Sequence, residues 1–271
     1  MNTIPAHESF PAKEPAMTTY DTTTPTVQIP TWSRGTVLKV WAAAALPMGL
    51  LAWVGAPLLA HAFSGPMALP QALILCLATG LIWQFVFVVI VVRREQGSLR
   101  WPVVKQALWL NAPISPRTGK RSKRLWWMVV PLMALLALEE MLPSLPTPVA
   151  RDNGLLFASD SGQAWMSGNW TWFALLIIVF VFNTALGEEL LFRGLLLPRM
   201  GKFGRADWVV NGVLFACYHL HEPWVIPQTI LVDTFAEALP SRRWCSSLIG
   251  IAVHSSQSVF FFVLGLALVL R

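Results

Sequence analysis

Residues 187–194 read GEELLFRG and follow TWFALLIIVFVFNTAL without a break. Glu188, Glu189 and Arg193 therefore stand at the end of a run apolar enough to lie in lipid. There a lone ionised side chain costs on the order of 2.5–3.5 kcal/mol even on permissive scales. On a helix, Glu189 and Arg193 are four residues apart and can pair on one face. Glu188 points about 100° away and is less engaged by the arginine. A structural ion pair beside a freer carboxylate suits general base catalysis, with Glu188 as the base. Asp233, nine residues from Arg242, is a rival partner for Arg193.

Two histidines share the depth of that pair. Glu188 lies 11 residues from Arg199, His254 lies 11 from Arg243, and His219 lies 14 from Arg205 and 11 from Trp208. At ~1.5 Å per residue, each is roughly 16–21 Å from its basic anchor. Equal depth on three separate segments predicts that these groups face one another around a small wet cavity, which by default is a functional site. His219 and His254 are then candidates to orient water or to stabilise an oxyanion. His221 is two residues from His219 and falls on another face, so the HExxH spacing of zinc proteases is absent. HSSQS at 254–258 lacks the G-x-S-x-G elbow of serine hydrolases. Glu139 and Glu140, roughly 22 Å from Arg124, read as solvated carboxylates at a helix end.

The elements that must position these residues follow from composition. Of the 271 residues, 55% are hydrophobic and 13% charged, with a mean hydropathy of +0.56, which excludes an ordinary soluble domain. A span needs about 20 largely apolar residues to cross a slab of roughly 30 Å. Runs at 38–60, 69–92, 125–142, 169–192, 207–221 and 246–270, with a weaker one at 224–239, predict an all-α polytopic transmembrane helical bundle of about seven spans. Segment 224–239 carries Asp233 and Glu237 and is the one that can be re-entrant, since such residues are tolerated only when buried in protein. Residues 1–36, rich in Thr and Pro, read as a disordered N-terminal tail, 37–168 as the N-terminal transmembrane helices, and 169–271 as the core carrying the charged cluster.

Nine of the twenty Lys and Arg fall in 93–124, between two apolar runs. That clustering accounts for the net charge of +6 as a topology signal that touches anionic lipid headgroups, and it argues against a nucleic-acid partner. If basic loops are cytoplasmic, the N-terminus, 93–124, 199–205 and 242–243 lie inside, and 61–68, 143–168 and 222–224 outside. Trp101, Trp126, Trp127, Trp208 and Trp244 would then form one interfacial belt and Trp170 and Trp224 the other. Residues 99–110 can form an amphipathic helix on the inner surface. Cys76, Cys217 and Cys245 are scattered without CxxC spacing and read as small apolar filler.

On three motifs in order, the chain resembles the CPBP (Abi) intramembrane proteases, which include the type II CAAX-prenyl endopeptidases and bacteriocin-processing proteins. EELLFR (188–193) matches EExxxR, FACYH (215–219) matches FxxxH, and HSSQS (254–258) matches HxxxN or HxxxD, over about 170–270. The resemblance implies a membrane-embedded endopeptidase in which Glu188 activates water and His219 helps to polarise it. It further implies that His254 and residue 258 stabilise the oxyanion and that Glu189 and Arg193 hold the geometry, with Phe215 packed beside the site. Position 258 is Ser rather than Asn or Asp. A hydroxyl reaches less far than an amide, and Gln257 is an alternative donor.

Glu188, His219 and His254 would also suffice as zinc ligands with one open position. The preferred reading is metal-independent and requires no cofactor, with Glu188 free to serve as base. The expected substrate is a peptide or protein, with or without a prenyl group, reaching the site from the cytoplasmic side or through a lateral gap. The family and the lack of eukaryotic sorting signals suggest a bacterial cytoplasmic membrane. A non-catalytic scaffold or immunity factor on the same fold, which Ser258 favours, and an ion-coupled transporter are the competing readings.

Overall fold

The computed structural model describes residues 27–143, 145–148, 151 and 154–271. Among these residues the chain is helical, with one isolated antiparallel bridge between Ile114 and Arg121 and no strand. In chain order the main elements are α1 (Arg34–Ala60), α2 (Ala68–Gln96), α3 (Trp101–Ala107), α4 (Val129–Ala137), α5 (Asp160–Met166), α6 (Trp170–Arg199), α7 (Asp207–Tyr218), α8 (226–244) and α9 (Ser247–Val269).

Four of them, α1, α2, α6 and α9, are long and apolar enough to cross a membrane. Even the shortest, α9 with 23 residues, rises ~35 Å, more than a hydrocarbon core of about 30 Å requires. The sequence suggested about seven spans, and the other three runs do not form helices of that length and apolarity. Run 125–142 passes from a 3₁₀ segment, Lys123–Met128, directly into the nine-residue α4 and then a 3₁₀ turn, Glu139–Met141. The twelve residues of α7 rise only ~18 Å. Segment 224–239 is part of α8, one continuous helix that carries Asp233, Glu237, Arg242 and Arg243.

α2 packs against α1 and α6, α7 against α8, and α9 against α4, α6 and α8. The main core joins Met48 of α1, Leu81 and Val88 of α2, Leu191 and Leu195 of α6, and Phe215 of α7. Large apolar side chains such as Leu46, Leu58, Val130, Leu231 and Phe260 point outwards and exposed, as a lipid-facing surface requires and a water-facing one does not tolerate in such number.

The basic ends of the helices are tied together. Arg199, fully buried, bonds Glu95 at 2.7 Å and donates to the carbonyls of Ala107 and Leu195. Arg242 pairs with Asp207 at 2.5 Å, joining the end of α8 to the start of α7. Residues 27–33, placed by the sequence within a disordered tail, form no helix but are docked here. Trp32 donates its indole N–H to Glu95 and its backbone N–H to Arg199, and Ser33 caps α1. Residues 1–26 of that tail lie outside the described residues.

Two other expectations change. Trp224 and Trp244 turn inwards rather than joining interfacial belts, Trp244 packing among Leu136, Val232 and Ile249, whereas Trp101, Trp127 and Trp170 are exposed. Glu139 is buried and accepts a hydrogen bond from the Thr229 hydroxyl at 2.8 Å, so it is not a solvated helix-end carboxylate. The side chain of Glu140 lies outside the described residues.

Candidate active site

Glu188 and Glu189 sit between two π-helical turns of α6, Phe182–Gly187 and Leu190–Leu196. The Glu188 N–H donates to Asn183 and the Leu197 N–H to Phe192, each five residues back. Such widened turns are rare and concentrate at functional sites. Here they let adjacent carboxylates both face inwards, Glu188 being 2% exposed and Glu189 0%.

The expected pair forms, with Arg193 Nη1 3.4 Å from Glu189 Oε1. A second salt bridge joins Arg193 Nη2 to Glu237 Oε2 of α8. Glu237, rather than Asp233, is therefore the second partner. It is presented by a further π-helical turn, Thr234–Ala238, a local widening that no spacing rule for regular helices anticipates. Setting the guanidinium between two carboxylates leaves none of the three charges buried in isolation.

His254, in the third turn of α9, reaches both sides of the motif. Its Nδ1 lies 3.3 Å from Glu189 Oε1 and 3.8 Å from Glu237 Oε1, and its Nε2 is 4.0 Å from Glu188 Oε2. Donation from Nδ1 to Glu189 leaves Nε2 directed at the catalytic candidate, as an imidazole oriented by a carboxylate should be. His219 is the residue on which α7 ends, with its Nδ1 3.1 Å from the Phe215 carbonyl.

Phe215 is the common neighbour of all three motifs. The Arg193 guanidinium lies 4.0 Å from its ring centre, and the imidazoles of His219 and His254 approach it edge-on at 5.0 and 5.9 Å. The three stretches that shared a depth in the sequence therefore converge.

Glu188 keeps Oε2 without a hydrogen-bond partner and lines a cavity of about 510 Å³. Gln257 and Ser258 line the same cavity. The Ser258 hydroxyl is turned to α6, 3.4 Å from the Phe180 carbonyl and 3.3 Å from the Thr184 hydroxyl.

The sequence did not single out Gln84 or Tyr218. Gln84 Nε2 donates to the Tyr218 hydroxyl at 2.5 Å, and Tyr218 is in turn a hydrogen-bond partner of Glu188. Gln84 is fully buried in α2, nine residues from Arg93, and therefore ~14 Å from that anchor. The depth rule applied to uncharged polar residues would have found it.

The ligand-bearing atoms of Glu189, Glu237 and His254 lie within 4.8 Å of one another. This is not the set Glu188, His219 and His254 considered for zinc. Both carboxylates of the trio are already salt-bridged to Arg193. A divalent ion there would face a fixed positive charge at close range in a medium of low dielectric. The donor set does not fit a zinc ion while Arg193 holds it.

Residues 170–270 match the family model described as type II CAAX prenyl endopeptidase Rce1-like. Comparison with curated proteins and with solved structures gave no match. The matched segment begins at α6 and contains every charged or imidazole group placed around Phe215. With four apolar helices of spanning length, the chain is an integral membrane protein, and its segment 170–270 matches the Rce1-like model, which is consistent with a CPBP-family membrane protease.

Proposed function

We propose that the protein is an intramembrane endopeptidase in which Glu188 activates a water molecule for attack on a peptide carbonyl, without a bound metal. The carrying observation is a division of labour among buried carboxylates. Glu189 and Glu237 are salt-bridged to Arg193, whereas Glu188 is the one of the three that lines the cavity and makes no salt bridge to that arginine.

In the forward step Glu188 takes a proton from water, whose oxygen bonds to the carbonyl carbon. The tetrahedral oxyanion then collapses, the C–N bond breaks, and the proton on Glu188 passes to the leaving amine. His254, held at Nδ1 by Glu189, presents Nε2 to this step, and His219 polarises the water from the end of α7. Gln257 and Ser258, which both line the cavity, are assigned as the side-chain donors to the oxyanion. Glu189, Glu237, Arg193 and Phe215 are positioning residues.

The substrate is a peptide or protein, and the apolar walls of the cavity also accommodate a lipid-modified residue such as a prenylated one. The clustering of basic residues in 93–124 supports a cytoplasmic N-terminus; placement in a bacterial membrane rests on the family resemblance.

The test is Glu188→Gln in a peptide-cleavage assay on purified protein in detergent or proteoliposomes. Loss of a general base lowers turnover by ~10²–10⁴, with thermal stability retained, because Glu188 is not part of the Arg193 pair. Undiminished cleavage by Glu188→Gln removes the proposed base. The scaffold reading is favoured by one observation, the orientation of the Ser258 hydroxyl towards α6. It predicts that Glu188→Gln preserves the cellular phenotype while Arg193→Ala abolishes it.

A further inference from the structure

The cavity that Glu188 lines extends in one direction only. On α2 its wall is Ile74 and Leu77, on α6 Leu176 and Phe180, and on α9 Gln257 and Phe261. On each helix these residues lie on the side of the charged cluster away from the basic end. In α2 they precede Gln84 and Arg93, in α6 they precede Glu188 and Arg199, and in α9 they follow His254 and Arg243. Three helices of differing direction thus agree on one face. The rim confirms the direction, since Thr147, Gly154 and Phe157 belong to the connection between α4 and α6, opposite the basic loops.

α7 explains why space exists there. It starts at the basic face, where Asp207 pairs with Arg242, and stops at Tyr218 after twelve residues. That covers ~18 Å of a core of about 30 Å and leaves the remainder of its column to loop 219–225.

Among the described residues, the basic face is covered by a segment of chain. Segment 107–114 folds beneath the cluster, its carbonyls taken up by the N-terminus of α9 and by Arg199. Ser247 Oγ donates to Leu108 at 2.7 Å, Ser247 N to Trp109 at 3.0 Å and Ser246 Oγ to Asn111 at 2.6 Å. Arg199 donates to Ala107 at 3.1 Å, and the Ile114 N–H donates to Trp244 at 2.9 Å. A Cβ on Gly194, inside the GEELLFRG motif, would stand 3.2 Å from the Leu108 carbonyl, so this plug sits directly on α6.

From these observations we infer that the substrate is an extended, predominantly apolar peptide segment that reaches Glu188 from the membrane face opposite the basic loops, not from the face that carries them. The wall suits apolar side chains. Asn183, Gln228 and Gln257 offer amides to an extended backbone, and Gln228 Oε1 is buried with no hydrogen-bond partner. An unpartnered buried acceptor is costly in the free protein and is satisfied when a peptide N–H arrives. The inference takes its substrate from the proteolytic reading, but its geometry stands without it.

The test is thiol accessibility in the full-length protein after Cys76, Cys217 and Cys245 are replaced by Ser. Phe157→Cys marks the rim and Asn183→Cys the depth of the cavity. Lys120→Cys, exposed in the basic loop, and Ser64→Cys, exposed between α1 and α2, mark the two faces. A membrane-impermeant maleimide is applied to right-side-out and to inverted vesicles. Phe157→Cys and Asn183→Cys should be labelled in the orientation that labels Ser64→Cys and protected in the orientation that labels Lys120→Cys. Labelling of either together with Lys120→Cys overturns the inference, as does protection of both in both orientations. Labelling needs no catalysis, so adding Glu188→Gln should leave this pattern intact even where it abolishes cleavage. A failed proteolytic reading and a failed assignment of the open face therefore give different results.

Discussion

The guanidinium carbon of Arg193 lies 4.0 Å from the centre of the Phe215 ring, and both are completely or almost completely buried. The contact joins the first motif to the second through a cation on an aromatic face, an interaction strengthened where both partners are desolvated. It also sets the distance of His219 and His254 from the ion pair, since both imidazoles rest against edges of the same ring.

Arg193→Ala should therefore be among the most damaging single substitutions in the chain. It leaves Glu189 and Glu237 buried without a cation, and breaking a buried pair from one side costs about 3–5 kcal/mol. Arg193→Lys keeps the charge but loses the planar fork that reaches two carboxylates and stacks on Phe215, so partial rescue is expected. Thermal unfolding in detergent should rank wild type above Arg193→Lys above Arg193→Ala. Equal stability of the two variants would show that the fork and the stacking contribute nothing.

Gln84 and Tyr218 allow a sharper measurement. Tyr218→Phe removes the hydroxyl to which Gln84 donates and leaves a buried amide unsatisfied, a loss of about 1–3 kcal/mol. Gln84→Met in the same background removes the stranded amide, and replacing both partners by apolar groups can be nearly neutral. The double variant should then melt above Tyr218→Phe alone. Cleavage should stay low in both, because Glu188 has lost its hydroxyl partner. A double variant less stable than either single would disconnect Gln84 from Tyr218.

The chemistry was more legible in the sequence than the path of the chain. Glu188, Glu189, Arg193, His219 and His254 stood out because ionisable residues in apolar runs are too costly to be incidental, and the stretches that carry them meet around Phe215. What failed were features that depend on local helix geometry. Of about seven expected spans, four stand as helices of spanning length and apolarity, and α7 stops at Tyr218, short of the end of its apolar run. Choosing Glu237 over Asp233 needed the π-helical turn at Thr234–Ala238, which is invisible to a rule built on 3.6 residues per turn. Gln84 escaped because it carries no charge.

Gly250 makes the close approach of α9 to α6 possible. A Cβ there would collide with Glu189 Oε2 and stand 3.1 Å from Ser241 Oγ and 3.2 Å from Arg193 Cγ. Gly250→Ala must push Glu189 away from His254, and forcing a methyl into a packed core typically costs about 1–3 kcal/mol. Reduced cleavage together with a lowered melting temperature is expected. Unchanged values of both would mean that α9 has room to withdraw.

Position 258 discriminates between two ways of completing the oxyanion site. The Ser258 hydroxyl is within reach of the Phe180 carbonyl and of Thr184, so its proton has partners on α6. Gln257 lines the same cavity and carries an amide with longer reach. Loss of a genuine oxyanion donor lowers turnover by ~10²–10³. Gln257→Leu should approach that loss, and Ser258→Ala should fall well short of it. Ser258→Asn places an amide where the related motif has one, with the cavity beside it to receive the added atoms, so faster cleavage than the wild type is expected. Turnover of the three variants, measured at matched protein level, decides the matter. A large loss in Ser258→Ala with none in Gln257→Leu would assign the donor to the hydroxyl, which would then have to swing away from Phe180 during the reaction.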